Sequence, residues 1–205
     1  AILKQFQKQY KNLVVSKNKK RYGVAVCYNR ALKQAKGRFI TFMNPHDVSN
    51  LNRFKRQLSF FLKHPKTVAV GTQYTSIDDE SKRLERSSLP EGHDEIYDNM
   101  LQASALHPET VMIDRMQVPK DLLYFRNQKY PFVFSEVFIK LFQYGKVANI
   151  TQSLYYHREG IKQYGRKAPK MKHIMALTKL WFTSRQYYNY RPSLRSLLPQ
   201  MVKGV

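Results

Sequence analysis

The sequence predicts an α/β fold, and two observations support that prediction. Short runs rich in β-branched and aromatic side chains alternate with segments whose apolar residues recur at helical spacing, as in a layered α/β sheet. One of these runs, residues 38–43, leads directly into the polar corner Asn44-Pro45-His46-Asp47. Ligands of open α/β sheets bind just past the carboxyl ends of strands. This corner is therefore the first candidate for a functional site.

Local patterns place the individual elements. Apolar residues recur every three to four positions in the segments predicted as helices, which are 1–10, 24–35, 50–62, 133–144 and 170–191. Short β-branched and aromatic runs predict strands at 12–15, 38–43, 67–74, 110–113, 146–150 and 153–156. A hairpin tip is predicted at 78–81, and weaker helical patterns follow residue 92, cover 117–125 and begin again at 194.

Charge is distributed unevenly along the chain. The formal net charge is +22, yet no Asp or Glu precedes Asp47 and none follows Glu159. Two basic ends therefore flank a nearly neutral centre, which favours partners such as nucleic acid, anionic lipid or phosphorylated ligands. The single cysteine, Cys27, excludes a disulfide framework and a zinc site made of cysteines. No apolar run approaches the roughly 18 residues of a membrane span, and no secretory signal is visible.

The stretch from Gly23 to Ile40 resembles the run G-x-A-x-A-R-N-x-G…A-x-G-x-Y-I of family 2 glycosyltransferases. Residues 43–47 stand where that family has L-D-x-D-D, and 68–82 are similar to its next strand and hairpin. Residues 107–112 resemble its acceptor-side H-x-S-x-M, and 138–158 its last core elements. No single block is decisive, but their order and spacing together are specific.

The resemblance implies the GT-A fold, a Rossmann-like mixed sheet flanked by helices. We expect a glycosyltransferase core over 1–160 and a basic, amphipathic helical tail over 161–205. The family's first nucleotide-binding unit ends in D-D-G-S-T-D, and the similarity begins in the helix after that motif. We therefore expect the first nucleotide-binding segment to be missing from this sequence.

Family chemistry requires a divalent cation, Mn²⁺ or Mg²⁺, to neutralise the departing nucleoside diphosphate. The two Asp positions of the family's Asp-x-Asp motif are Asn44 and His46 here, and Asp47 remains acidic. The resemblance makes His46 and Asp47 the candidate metal ligands, although the residue types of this corner favour a purely structural turn. If the chain is not active, no cofactor is expected.

Further site residues follow from the resemblance. Nucleotide-sugar contacts are expected from Asn44, where an amide replaces a carboxylate beside the ribose, and from four other residues: Gly23, Asn29, His157 and Arg158. Glu136 is the candidate general base, since it is the only acid between Asp121 and Glu159. His107 is placed on the acceptor side. The alternatives are that Glu136 is an ordinary surface carboxylate and that His157, at the end of a strand, is a half-exposed side chain without a role in binding.

Two functions remain open at the level of sequence. The first is transfer of a sugar from a nucleotide-sugar to a glycan or lipid-linked acceptor, with normal or impaired activity, and with the basic tail on an anionic membrane surface. The second is a catalytically inactive GT-A-like scaffold whose basic ends bind RNA in a large ribonucleoprotein, such as a mitochondrial ribosome. The first predicts the cytoplasmic face of a membrane and the second predicts a mitochondrial location, both reducing and intracellular.

Overall fold

The computed structural model describes residues 2–101, 105–126, 132–159 and 170–193. The helices in this part of the chain are α1 (Ile2–Gln9), α2 (Val24–Gln34), α3 (Arg53–Lys63), α4 (His93–Asn99), α5 (Ser135–Leu141) and α6 (Lys170–Tyr187). The strands are β1 (Phe39–Thr41), β2 (Val48–Ser49), β3 (Thr67–Ile77), β4 (Arg83–Arg86), β5 (Met112–Asp114) and β6 (Lys146–Arg158). Two 3₁₀ turns, Pro108–Thr110 and Arg115–Gln117, lie on either side of β5. The helix expected from residue 194 lies outside the described residues.

A single mixed sheet organises the molecule. Its strand order is β1-β5-β3-β6-β2, and β4 adds to β3 through the predicted hairpin. Only β3 and β6 pair in parallel among these strands, and every other pair is antiparallel. The sheet with its flanking helices confirms the predicted α/β class.

Two strand predictions need correction. Residues 12–15 do not form a strand, because no strand in the described part of the chain lies beside them to take their main-chain hydrogen bonds. The strands predicted at 146–150 and 153–156 are one continuous strand, β6. The polar residues between them, Thr151 and Gln152, fall where the pairing with β3 changes register, so the strand continues through an irregularity.

The core lies between the sheet and helices α2, α4, α5 and α6. In and beside this core, four aromatic rings meet with centroids 5.1–5.7 Å apart: the buried Phe42 and Phe125 and the partly buried Tyr28 and Phe134. The segment after residue 170, predicted as a tail, contributes to the same core through the buried Leu177, Leu180 and Tyr190. The hydroxyl of Tyr190 donates to the carbonyl of Tyr97 at 2.6 Å, which ties this segment to α4.

Gly71 allows β3 to approach a buried amide of β6. A Cβ at Gly71 would lie 2.1 Å from Oδ1 of Asn149, whose side chain is buried and donates to two main-chain carbonyls. We expect Gly71→Ala to destabilise the fold by about 1–3 kcal/mol in chemical denaturation, since the amide cannot move aside. The matched control is Gly37→Ala, where the nearest atom is Phe39 O at 3.4 Å. Equal stability of the two variants would contradict the prediction.

Candidate functional site

The polar corner after β1 forms a tight turn. Oδ1 of Asn44 accepts a hydrogen bond from the main-chain N–H of His46 at 3.1 Å, and the carbonyl of Asn44 accepts from the N–H of Asp47 at 3.2 Å. An Asn side chain that bonds the main chain two residues later is a common turn-forming contact. The turn leads into β2, which pairs with the end of β6. The corner is thereby held against the last residues of β6.

Asp47 is the centre of the site. Its Oδ2 accepts from the hydroxyl of Tyr155 at 2.9 Å and lies 3.3 Å from Nδ1 of His157. Its Oδ1 accepts from the main-chain N–H of Arg158 at 3.0 Å. The carboxylate has no exposed surface. All three partners come from the end of β6, and the two side chains lie two positions apart, on one face of the strand.

Burial and hydrogen bonding shift the pKa of the Asp47 carboxyl group in opposite directions. Burial by itself raises the pKa of Asp47, but the hydrogen bonds from His157 and two further donors outweigh it and lower the pKa below its usual value. The same contact with Asp47 raises the pKa of His157, despite the partial burial of the imidazole. The pair is therefore stabilised as carboxylate and imidazolium.

His107 lies against this pair from the other side. Its ring centroid is 5.0 Å from that of His157 and 4.3 Å from that of Tyr74. Its Nε2 is buried and forms no hydrogen bond, and it lies 3.3 Å from a carboxylate oxygen of Glu109 without the alignment that a hydrogen bond needs. Burial lowers the pKa of His107 to about 4, and burial raises the pKa of Glu109. His107 is thus a neutral imidazole at neutral pH, and among the described residues its Nε2 forms no hydrogen bond.

Two arginines contact the site without a carboxylate partner among the described side chains. Arg158 donates through its guanidinium to His46 O at 3.1 Å, to Ser81 Oγ at 2.8 Å and to the carbonyls of the hairpin tip at 78–79. Arg53 is fully buried, lies 5.2 Å from the Tyr155 ring and donates to Thr41 and to the Glu109 carbonyl. Burial lowers the pKa of Arg53.

The structure thus brings together some of the predicted site residues. Asp47, His157, Arg158 and His107 meet in one cluster, and Asn44 closes the adjoining turn. His46 is exposed and contributes its main chain to that turn, so it lies outside the described group of possible metal ligands. Its role as a metal ligand stays a prediction.

Glu136 lies in a different environment. It is buried at the start of α5, where it accepts from the Tyr188 hydroxyl at 2.7 Å and pairs with Arg126 at 3.2 Å and Lys140 at 3.4 Å. This carboxylate links α5 to the segment after α6. Its role as general base stays a prediction, and the structure adds that its charge is already compensated.

Two more predicted residues are near α2. Gly23 has φ of 88° immediately before the helix, a left-handed conformation that favours glycine. The amide of Asn29 forms two hydrogen bonds with the main chain of Phe125, at 2.7 and 2.9 Å, and so fixes α2 to that loop. Nucleotide-sugar contacts by these two residues also remain predictions.

Four residues of the site were missed from the sequence: Tyr155, Tyr74, Glu109 and Arg53. The alternation of β6 was available as a signal, because Tyr155 and His157 share a face of any strand through these positions. Nothing local indicates Arg53 as a buried residue, since a charged side chain on a helix is usually exposed.

The possible metal ligands in this cluster are two imidazoles and one carboxylate, which suit a divalent ion of intermediate hardness. One ligand atom each from Asp47, His107 and His157 lie within 4.8 Å of one another. Nε2 of His107 is the atom that fits a ligand role, since within the described part of the chain it is buried without a hydrogen bond, although the Glu109 carboxylate lies 3.3 Å away. Two imidazoles and one carboxylate suit Mn²⁺ or Zn²⁺ far better than Mg²⁺, which prefers oxygen ligands.

Comparison with protein families identifies the relationship. The model of the family described as "Glycosyl transferase family 2" matches residues 1–121, more than half of the chain. The chain belongs to glycosyl transferase family 2. This membership confirms the predicted resemblance, and it fits a site at the carboxyl end of β1 in a sheet flanked by helices.

Curated relatives of this family 2 protein share moderate identity with it. The minor teichoic acid biosynthesis protein GgaB of Bacillus subtilis is 33% identical over 69 residues, which are 34% of this chain and 8% of that protein. The putative teichuronic acid biosynthesis glycosyltransferase TuaG of Bacillus subtilis is 29% identical over 117 residues, 57% of this chain and 45% of that protein. The chain thus spans less than half the length of either relative.

Solved structures confirm the GT-A fold of this family 2 chain. TarS of S. aureus, residues 1–349, superposes with a TM-score of 0.68 at 16% identity, covering 98% of this chain and 58% of that one. The mannosyltransferase PcManGT of Pyrobaculum calidifontis, in complex with GDP-Man and Mn²⁺, gives a TM-score of 0.58 at 13% identity and covers 98% and 56%.

Proposed function

We propose that this chain transfers a sugar from a nucleotide-sugar to a glycan or lipid-linked acceptor of anionic character. Family membership is the observation on which this proposal rests. Structures of similar fold include complexes with UDP-GlcNAc and with GDP-Man, which supports a nucleoside diphosphate sugar as donor. The relatives named for teichoic and teichuronic acid biosynthesis, together with the +22 charge, favour an anionic acceptor.

The roles of the chain's own residues follow from the cluster around Asp47. The buried carboxylate holds the His157 imidazole in place and compensates its charge, while the guanidinium groups of Arg158 and Arg53 add positive charge at this end of the sheet. A positive, partly desolvated site favours the diphosphate of a departing nucleotide. Once His157 has lost its proton, Asp47, His107 and His157 would hold a divalent ion, and such an ion would supply positive charge to the leaving diphosphate.

The proton of the acceptor hydroxyl needs a base, and Glu136 remains our candidate. Its carboxylate accepts from the Tyr188 hydroxyl and contacts Arg126 and Lys140, so an acceptor hydroxyl would have to approach it beside these groups. Impaired activity stays a prediction.

Calorimetry tests the donor and the metal together. The full chain is titrated with UDP- and GDP-sugars in Mn²⁺, in Mg²⁺ and in a chelator. We expect binding in Mn²⁺ and at least roughly tenfold weaker binding in Mg²⁺, because imidazole ligands discriminate against Mg²⁺. The advantage of Mn²⁺ is expected to be lost in His107→Gln and kept in His64→Gln, a change at an exposed histidine. Absence of donor binding under every condition would refute the proposal.

The inactive, RNA-binding scaffold remains an alternative prediction, as do the membrane-bound tail and the two locations. An RNA complex made through phosphate contacts loses affinity steeply as the salt concentration rises. A salt titration with an unstructured RNA therefore separates it from the transferase, and indifference to RNA at low salt would exclude it.

A further inference from the structure

Helix α3 is attached to the sheet by two polar side chains and by Phe61, which forms a small buried cluster with Val70 and Met112. Arg53 and Gln57 are fully buried, one turn apart on the inner face of the helix. Arg53 donates to Glu109 O at 2.8 Å and to Thr41 Oγ1 at 2.6 Å. Nε2 of Gln57 donates to the carbonyls of Val70 and Thr110, both at 2.8 Å. These four hydrogen bonds fix the rotation of α3 about its axis.

An apolar stripe consequently faces away from the sheet. Leu51, just before the helix, and Phe54, Leu58 and Leu62 within it follow at spacings of three and four residues, so they share one side. Their exposed fractions are 100%, 49%, 37% and 85% respectively. Phe61 is the buried apolar residue of the inner side, so this helix differs from the usual surface helix in having further large apolar side chains on its outer side. A contiguous exposed apolar stripe of this kind marks an interaction surface.

The charges beside the stripe are all positive. Four exposed basic residues belong to the helix or follow it closely: Lys55, Arg56, Lys63 and Lys66. No Asp or Glu occurs anywhere between Asp47 and Asp78. An apolar side flanked by lysine and arginine is the composition of helices that lie in the surface of an anionic bilayer, where the apolar side chains enter the acyl boundary.

We propose that α3 binds the surface of an anionic lipid bilayer, with Leu51, Phe54, Leu58 and Leu62 inserted between the headgroups. Charge complementarity selects this occupant, because phosphate headgroups pair with the flanking lysines while the acyl boundary accepts the apolar stripe. The helix lies in the plane of the membrane and does not cross it. None of the helices in the described part of the chain has the length and apolarity that crossing requires.

Vesicle co-sedimentation of the full chain tests the apolar contribution. The probes are vesicles of phosphatidylcholine containing phosphatidylglycerol, and vesicles of phosphatidylcholine alone. We expect binding to the first and little to the second. The double variant Phe54→Ser/Leu62→Ser is expected to bind at least about tenfold more weakly, from the loss of two inserted side chains. The control, Leu84→Ser/Met116→Ser, removes two other exposed apolar side chains and is expected to bind normally.

A second pair of variants tests how much the positive charges beside the stripe contribute to vesicle binding. Lys55→Glu/Lys63→Glu reverses two charges beside the stripe, and Lys17→Glu/Lys19→Glu makes the same change in an exposed segment elsewhere. We expect the first to weaken binding by at least about tenfold and the second to weaken it less, because headgroup attraction falls off within about 10 Å. Circular dichroism and denaturation check that each variant folds.

Three outcomes would overturn the proposal. The first is equal loss of binding in a stripe variant and its control. The second is equally strong binding to phosphatidylcholine alone. The third is a dimer, detected by light scattering without lipid, that Phe54→Ser/Leu62→Ser dissociates, since a second copy of the chain would then cover the stripe. Retained donor binding in the stripe variants separates this result from any failure of the proposed transferase function.

Discussion

Replacing Asp47 by Asn is expected to lower the free energy of unfolding by about 3 kcal/mol, because the change removes one partner of a buried charge network. The carboxylate has no exposed surface and accepts from Tyr155 and from the Arg158 main chain while facing His157. An amide keeps the shape but presents an N–H group to donors. Urea denaturation at neutral pH measures the loss.

The control for Asp47→Asn is Glu80→Gln, which removes a carboxylate from the exposed hairpin tip. We expect that change to alter stability by less than about 0.5 kcal/mol, as is usual for exposed sites. If Asp47→Asn were as stable as Glu80→Gln, the network around Asp47 would not hold the end of β6. If Asp47→Asn were stable but no longer bound the nucleotide-sugar donor, the carboxylate would serve donor binding and not stability.

Acidification is expected to destabilise the protein through His107. Its folded pKa of about 4 lies below the unfolded value of about 6.5, so the unfolded state binds a proton first as the pH falls. A pH unit in this window is worth about 1.4 kcal/mol per proton, which gives a loss of about 3 kcal/mol between pH 6.5 and pH 4. Denaturation at a series of pH values in the presence of a chelator measures it.

His107→Gln is expected to remove most of this pH dependence. His93, whose pKa burial also lowers, adds a smaller loss of the same sign in both proteins. Glu109 acts in the opposite direction, because burial raises its pKa and its protonation on acidification favours the native state. The difference between wild type and variant therefore isolates His107. The matched control is the exposed His64→Gln, and an identical pH profile for His107→Gln and wild type would refute the prediction.

The Asp47–His157 pair affects stability outside the range between about pH 4 and pH 6.5 in which His107 titrates. The lowered pKa of Asp47 gives stability that is complete above about pH 4 and is lost as the pH falls through the folded pKa. The raised pKa of His157 gives stability that is complete below about pH 6.5 and is lost as the pH rises through its folded pKa. The combined contribution of Asp47, His157 and His107 to stability is therefore expected to fall on acidification below about pH 6.5 and again as the pH rises through the folded pKa of His157.

Much of the fold was predictable because its helices and central strands have clear local patterns. Helices α2 and α6 and strand β3 begin within one residue of the predicted positions. The parallel pairing of β3 with β6 was not predictable, since it joins segments far apart in the chain and no local pattern specifies a partner. Residues 12–15 show the opposite failure, because β-branched residues alone do not provide a neighbouring strand.

Several residues of the candidate site could be predicted from the sequence, but the contacts between them could not. The resemblance indicated Asp47 and His157 separately, but their contact depends on β2 pairing with β6. The orientation of α3 was also not predictable, because it depends on contacts with residues far away in the sequence. Periodicity places Phe61 in one stripe with Leu51, Phe54, Leu58 and Leu62, yet only Phe61 of these is buried. The side that faces inward is the one on which Arg53 and Gln57 donate to the sheet and Phe61 packs against it.

The pairing of β3 with β6 also determines when this protein can fold during synthesis. A strand that leaves the ribosome early must wait for a partner that is translated much later, because Ile77 pairs with Arg158. At about 5–20 residues per second, that delay is several seconds, during which the edge of β3 lacks β6. Non-local pairing of this kind also slows folding. Completion of the sheet is therefore expected to wait until β6 has left the ribosome, and to be sensitive to chaperones that shield strand edges in the nascent chain.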